Sequence, residues 1–261
     1  MNQKDNSSIF TPILIGGSLI LLISFAIRST FGLFQIPIAE QFMWARSEFS
    51  LAIAIQNLAW GIGTPIFSAF AEKFGDRKAI TIGLLLYAIG IFISSTASSP
   101  EAHQFLNVII GFGIAGSGFG PILAVVGRAT SPEKRSLALG ITTAAGSGGQ
   151  VVGPPFAAIL LSIVPWPSVF VVFALISLLT IVLVPLLKSS PKISKIDVEE
   201  NLRDALMEAV KDPTYIMLFL GFFSCGFQLA FITAHFPAFI AEASSPIIQG
   251  SLISFVCNSV A

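Results

Sequence analysis

Seven long apolar segments, joined by mostly short polar loops, follow one another along this chain of 261 residues, and a shorter eighth segment comes last. The hydrocarbon core of a bilayer is ~30 Å thick, so a helix needs about 20 apolar residues to cross it. A run of apolar segments of this length is typical of membrane-spanning helices. We therefore predict an all-α integral membrane protein that crosses the lipid bilayer several times.

Windows of about 19 residues give the limits of these predicted spans. They lie near residues 12–38, 47–71, 79–98, 101–127, 136–162, 167–187 and 214–241, with a partial span from 247. At 1.5 Å per residue, the segment from Ile247 to Ala261 reaches only about 22 Å, which is too short to cross a bilayer. We therefore expect the protein to continue beyond Ala261.

The basic residues lie almost entirely in alternate loops of the predicted spans. Arg28 lies within the first span and Arg46 in a loop on the opposite side. The other 12 of the 14 Lys and Arg residues share one side, namely Lys4, Lys73, Arg77, Lys78, Arg128, Lys134, Arg135, Lys188, Lys192, Lys195, Arg203 and Lys211. Because positive loops stay inside, we expect a cytoplasmic N-terminus in a plasma (inner) membrane. No basic patch indicates a nucleic-acid partner.

One loop is much longer than the others, and it follows the sixth predicted span. It divides the chain into a six-helix bundle (1–187), a cytoplasmic linker (188–213) and the start of a second, incomplete bundle (214–261). Within the linker, apolar residues recur at helical spacing, at Val198, Leu202, Leu206 and Val210. This spacing predicts a short amphipathic helix on the membrane surface.

The junction between the second and third predicted helices reads SAFAEKFGDRK, from Ser68 to Lys78. It resembles the signature loop of the major facilitator superfamily, with Ser68 for the usual glycine and Glu72 for the usual aspartate. The resemblance implies a gating role for Glu72, Gly75, Arg77 and Lys78, because charges at a helix junction can pair in one conformation and separate in another. The alternative is an ordinary positive loop in the cytoplasm.

A second pattern lies at the start of the fifth predicted helix. The run KRSLALG, from Lys134 to Gly140, resembles the helix-five motif of monocarboxylate and oxalate/formate carriers in that superfamily. Further along, Gly149, Gly153 and Pro154 resemble the helix-five pattern of antiporters. Small residues four apart permit close helix contact, so ordinary membrane packing explains this second piece equally well.

The order of spans and the position of the long loop agree with the superfamily over residues 12–261. The resemblance implies the major facilitator fold, as a six-helix N-terminal bundle with the first one to two helices of a second bundle. It implies transport rather than enzymatic catalysis, and the sequence shows no nucleophile–base set and no metal-spacing cluster. We expect no cofactor and no metal.

Arg28 is the most informative polar residue within the predicted spans. It lies about 16 residues, or ~24 Å, into the first helix, so lipid exposure would be costly and we expect it to face the bundle interior. The guanidinium matches a carboxylate bidentately, which indicates an organic anion as cargo. The alternatives are a buried structural ion pair and snorkelling to the headgroups.

Further polar residues at middle depth are candidates for cargo contact: Gln56, Asn57, Gln150, Gln228 and His235. The superfamily pairs helices one and seven around its cavity, so His235 can meet Arg28 and can carry a coupled proton. For each of these residues, tying helices together is the default alternative. Asn107 stands where many superfamily members carry an arginine, which argues against sugar and drug carriers. His103 is expected at the outer surface, without a role.

These observations predict secondary active transport of a small organic anion, a mono- or dicarboxylate, by alternating access. Coupling to a proton and exchange against another anion both remain open. A cation or drug exporter of the same superfamily is the first alternative, favoured by the antiporter-like pattern and disfavoured by Arg28. A membrane sensor or scaffold that does not transport is the second.

Overall fold

The computed structural model describes residues 10–187 and 207–243, and all regular elements within these ranges are helical. The first span consists of α1 (Pro12–Ser29), a 3-10 turn (Phe31–Phe34) and α2 (Gln35–Phe42). The later helices are α3 (Arg46–Phe74), α4 (Asp76–Ser94), α5 (Pro100–Ser117), α6 (Phe119–Ala129), α7 (Pro132–Ile163), α8 (Trp166–Thr180) and α9 (Pro213–Ala243). A 3-10 segment (Ile181–Leu186) continues α8.

Six helical stretches are long and apolar enough to cross a membrane. They are Pro12–Phe42, Arg46–Phe74, Asp76–Ser94, Pro100–Ala129, Trp166–Leu186 and Pro213–Phe239. The 32-residue helix α7 coincides with the predicted fifth span but is not one of the six; it is rich in Gly, Ala, Ser and Thr. The predicted all-α membrane fold is confirmed.

Two of the predicted spans are interrupted in ways that the apolar windows did not indicate. The fourth span breaks at Gly118, whose backbone is extended (φ −92°, ψ −161°) between α5 and α6. The first span runs through the 3-10 turn and ends at Met43, which takes the left-handed conformation (φ 56°) common after a helix. Hydropathy windows average over such breaks, because apolar composition does not change across them.

The helices pack so that each end of the bundle has its own apolar core. Helix α1 packs along α7, α3 along α5, and α4 between α5 and α8. At the end that holds the Ala45 turn, a cluster contains Phe34, Phe49, Trp166 and Phe170. At the end that holds the Gly75 turn, a second cluster contains Leu14, Ile80, Leu84 and Val126. A third, smaller cluster contains Phe67, Ala71, Ala79 and Ala115.

The contact between α1 and α7 depends on two glycines. A Cβ atom at Gly149 would overlap the carbonyl oxygen of Leu22, and one at Gly153 would overlap that of Ala26. The close contact predicted from small residues four apart is therefore confirmed, and its partner is α1.

Helix α9 touches the other helices only over part of its length. Its residues 213–228 are exposed, whereas Ala234 and Ala238 are buried. The main contact is with the 3-10 turn of the first span, where a Cβ at Gly32 would overlap the carbonyl oxygen of Thr233, and smaller contacts are with α2 and α3. The predicted amphipathic helix of the linker and the predicted partial span from 247 fall largely or wholly outside the described residues.

Candidate anion-binding site

Arg28 lies in the last turn of α1 and is only 7% exposed. It lines a small cavity between α1, α3 and α9. The other residues around the cavity are Phe31, Gly32, Ile53, Gln56, Asn57, Thr233 and Ala234. The space open to the centre of a water molecule is about 10 Å³, which corresponds to about one water molecule.

Among the residues whose side chains the structure describes, one polar group is a partner of the Arg28 guanidinium. Its Nη2 donates a hydrogen bond of 2.9 Å to Oδ1 of Asn57, whose own Nδ2 donates to the carbonyl of Ile53 at 2.9 Å. The second bond fixes the amide, so that Oδ1 points at the arginine. The Nε and Nη1 atoms of Arg28 are buried and have no hydrogen-bond partner in the described part of the chain, a costly state for a charged donor.

No carboxylate pairs with Arg28 among residues 10–187 and 207–239, the ranges whose side chains the structure describes. The alternative of a buried structural ion pair therefore has no acidic partner in this part of the chain. Snorkelling does not describe the side chain either, since it is buried against Asn57 and Trp60. The result is a desolvated positive charge beside a cavity, which is an electrostatic arrangement suited to an anion.

Two aromatic rings lie against this cation, and neither was among the predicted site residues. The Cζ atom of Arg28 is 4.5 Å from the centre of the Trp60 ring and 5.8 Å from that of Phe25. Phe25 precedes Arg28 by three residues on one helix, and Trp60 follows Asn57 by three on another. Residues three apart share a helix face, so this spacing was the signal available in the sequence.

Gln56 lines the same cavity but is also tied to α5. Its Nε2 donates to Oδ1 of Asn107 at 3.0 Å, and Nδ2 of Asn107 donates to the carbonyl of His103 at 2.8 Å. Asn107 is fully buried. A neutral amide pair thus links α3 to α5.

The other three candidate residues lie away from the cavity lining. Gln150 is buried on α7, while Gln228 and His235 are exposed on α9. The His235 ring lies 5.3 Å from that of Phe231 on its own helix. Thr233 and Ala234 are the α9 residues that reach the cavity, and a helix turns by 100° per residue, so His235 points elsewhere. Contact between cargo and these three residues stays a prediction.

His103 was expected at the outer surface, and this expectation is wrong. It is only 2% exposed, and its ring lies 5.6 Å from that of Phe49 and 6.1 Å from that of Trp44. The physical reason is helical phase: His103 lies four residues before Asn107 on α5, so both share the buried face. The hydropathy of a window shows where a span ends but not which of its residues face the bundle interior.

An ion pair joins the loop that resembles the superfamily signature to the end of α6. Glu72 and Lys78 are exposed, whereas Asp76 is 6% exposed and forms a salt bridge with Arg128 at the end of α6. Asp76 opens α4 and Arg128 lies in the last turn of α6, so each charge also suits its helix dipole. Asp76 was not among the predicted gating residues.

Arg77, the residue after Asp76, connects the same junction to the sixth span. Its Nε donates to the carbonyl of Leu187 at 3.1 Å and its Nη2 to that of Pro185 at 2.9 Å. It therefore satisfies the free carbonyls at the end of the sixth span. Gly75 makes the turn possible, since its φ of 97° is a conformation that other residues rarely adopt. The junction thus ties the third, fourth and sixth spans together.

Comparison with known proteins agrees with this architecture. The family model of the Major Facilitator Superfamily matches residues 17–261. Monocarboxylate transporter 13 of Bos taurus is 31% identical over 137 residues, covering 51% of this chain and 31% of that protein. Multidrug resistance protein MdtH of Yersinia enterocolitica is 26% identical over 219 residues, covering 80% of this chain and 52% of that protein.

Solved structures share the fold. A bacterial homologue of the human lysosomal transporter Spinster, in an inward-facing and occupied conformation, superposes with a TM-score of 0.66 at 18% identity. The match covers 94% of this chain and 56% of that chain. The chain spans about half the length of several of the curated relatives it matches.

Proposed function

The chain belongs to the Major Facilitator Superfamily of membrane transporters, and from that premise we propose that it carries a small organic anion by alternating access. The cargo is a mono- or dicarboxylate. The observation that carries this proposal is the buried Arg28 guanidinium, which lines a cavity with two of its three nitrogens unpartnered and with no carboxylate beside it in the described residues.

The chemistry of the cavity supports a carboxylate. Nη2 of Arg28 has two hydrogens, and the bond to Asn57 uses one of them. The other, together with Nε or Nη1, offers the two parallel donors that a carboxylate accepts. Phe31, Ile53 and Ala234 add apolar side chains to the lining, beside the polar groups of Gln56 and Thr233. A carboxylate on a short apolar body fits this combination.

The size of the cavity supports alternating access as the mechanism. Room for about one water molecule is too little for an organic acid, so the cargo enters only when an adjoining helix moves. The contact between Gly32 and Thr233 closes the cavity from the α9 side. Movement of α9 away from the first span would open the site to one side of the membrane.

The proposal includes the arrangement in the cell. We assign residues 1–187 to one bundle, 188–213 to a cytoplasmic linker and 214–261 to the second bundle, with a cytoplasmic N-terminus in the plasma membrane. The uneven placement of basic residues supports this orientation. Transport is coupled to a proton or to exchange, with His235, Gln228 and Gln150 as further cargo contacts.

Export of a cation or drug is the second candidate. Likeness to a multidrug resistance protein and the antiporter-like residues Gly149, Gly153 and Pro154 favour it. A buried cation beside the cavity opposes it, because Arg28 would repel a positively charged cargo. A membrane sensor or scaffold is the third candidate, which measured uptake would separate from a carrier.

Uptake by proteoliposomes tests the proposal. The purified carrier is reconstituted, and accumulation of radiolabelled acetate, lactate and oxalate is followed under a pH gradient and, separately, against internal anion. We expect saturable uptake of at least one acid and none in liposomes without protein. Transport of a cationic dye such as ethidium, with no carboxylate uptake in either mode, would favour the exporter and contradict the proposal.

A further inference from the structure

Trp60 lies over the Arg28 guanidinium, one helical turn after Asn57 on α3. The distance from Cζ of Arg28 to the centre of the Trp60 ring is 4.5 Å. A guanidinium within about 6 Å of a ring centroid is attracted to the ring face, and tryptophan attracts it most strongly. The cation that Asn57 holds by one edge therefore lies over the face of the Trp60 ring.

Trp60 is itself held by three helices. On α5, a Cβ at Gly111 would be 3.0 Å from the backbone nitrogen of Trp60 and would overlap the carbonyl oxygen of Gln56. On α1, Phe25 meets the Trp60 ring edge to face, with centroids 5.7 Å apart. Trp60 also packs against all three apolar clusters. Its position is therefore much more restricted than that of a tryptophan on the bundle surface.

We propose that Trp60 is a positioning residue for anion binding, which holds the plane of the Arg28 guanidinium in the orientation that receives the carboxylate. This inference rests on the proposed function. A long arginine side chain loses rotamer freedom when it binds an anion, and Trp60 with Asn57 removes that freedom beforehand, which favours binding. The arrangement also explains the use of arginine, because a planar cation stacks on a ring and a lysine ammonium does not.

A purely structural tryptophan would fill the same space, so the test needs a signal from the site. Trp60 is one of three tryptophans in this sequence. Changing Trp44 and Trp166 to Phe leaves Trp60 as the reporter among these residues. The purified carrier is titrated with sodium lactate, acetate and oxalate while tryptophan emission is recorded. We expect a saturable change in emission for at least one acid, no change with lactamide, and loss of the response in Arg28→Gln.

Binding by Trp60 variants gives the second readout. Trp60→Leu removes the ring face, and we expect it to raise the Kd for the responding acid at least about fivefold. Trp60→Phe retains a ring and should stay within about threefold of the wild type. Trp44→Leu is the matched control: Trp44 is also half-buried and stacks on Phe42 at 4.9 Å, away from the cavity. Its Kd should be unchanged.

Two results would overturn the inference while the proposed function stands. One is a change in Kd caused by Trp60→Leu that is no larger than the change caused by Trp44→Leu. The other is carboxylate binding, shown by radiolabel, that does not change the Trp60 emission. If Trp60→Leu does not fold, the inference is tested by the change in Trp60 emission and by the Kd of Trp60→Phe. Absence of carboxylate binding by the wild-type carrier would instead overturn the proposed function itself.

Discussion

A neutral amide, that of Asn57, holds the buried Arg28. The bond from Nη2 to Asn57 orients the guanidinium without cancelling its charge. An aspartate at the same position would supply a counter-ion in a low-dielectric site, where such pairs attract strongly. The identity of residue 57 therefore decides whether Arg28 keeps its charge available for a cargo anion.

Replacement of Asn57 by aspartate tests this directly. Asn57→Asp preserves the shape of the side chain, and we expect it to weaken carboxylate binding at least about tenfold, or ~1.4 kcal/mol, while the yield of folded protein is unchanged. Asn57→Leu is the control, since it removes the acceptor but leaves the charge, and its effect should be several times smaller. Equal carboxylate affinity in Asn57→Asp and the wild type, measured by radiolabel binding, would exclude Arg28 as the anion contact.

The cation beside this cavity and part of the cavity lining were predictable from the sequence. Arg28, Gln56 and Asn57 were predicted as cavity residues, because charged and amide groups are rare at middle depth in a span. The aromatic residue Trp60 was not predicted, because aromatic rings are common in apolar spans and only its spacing of three residues from Asn57 set it apart. Gln228 and His235 share a helix with the cavity residues Thr233 and Ala234 but not their face.

At the scale of elements, the α1–α7 contact holds the helix that carries Arg28. Gly149 and Gly153 bring the two backbones together, while Gly148 on the same helix has no atom within 4 Å of its Cβ position. A side chain is therefore excluded at Gly149 and Gly153 but has room at Gly148, the residue directly before Gly149. This difference gives a matched pair of substitutions.

Gly153→Ala should destabilise the protein and Gly148→Ala should not. Overpacking a tight contact costs about 1–3 kcal/mol, which we expect to lower the Tm in detergent by about 5 °C. In Gly148→Ala the alanine favours the helix, so its Tm should be unchanged or slightly higher. Thermal unfolding followed by size-exclusion chromatography measures both; equal Tm values for the two variants would argue against the close α1–α7 contact.

The junction at Gly75 gives a second test at this scale. Asp76 is buried in a salt bridge with Arg128, and Glu72 four residues earlier is exposed. Asp76→Asn should cost about 1–3 kcal/mol, because it leaves a charged partner without its counter-ion, whereas Glu72→Gln should cost little. The free energy of unfolding in denaturant compares them. A larger loss in Glu72→Gln than in Asp76→Asn would contradict a stabilising role of the Asp76–Arg128 salt bridge.

The whole molecule was the part most accessible from sequence. Length and apolar character indicate each span, because every membrane-crossing helix must meet the same bilayer thickness. The breaks at Gly118 and in the Phe31–Phe34 turn were not predicted, since they depend on local backbone geometry and not on composition. Burial of His103 and pairing of Asp76 were also missed, because both depend on which helix lies opposite.

Orientation in the membrane is testable on intact cells. In a carrier with Cys225 and Cys257 changed to serine, a single cysteine is placed at Ala45 or at Glu72, both of which are exposed. Because the basic loops should be cytoplasmic, we expect an impermeant maleimide added outside to label Ala45→Cys and to reach Glu72→Cys only after permeabilisation. The opposite pattern would reverse the assigned topology.

The measurement that tests the central claim most directly is the carboxylate affinity of Arg28 variants in the purified carrier. We predict that Arg28→Gln and Arg28→Lys each raise the Kd at least about tenfold, since glutamine removes the charge and lysine the planar fork, while Tm and folded yield stay near those of the exposed control Arg135→Gln. Wild-type carboxylate affinity in Arg28→Gln would contradict the assignment of Arg28 as the anion site. A lower folded yield in Arg28→Lys, with wild-type carboxylate affinity in the protein that does fold, would contradict it as well.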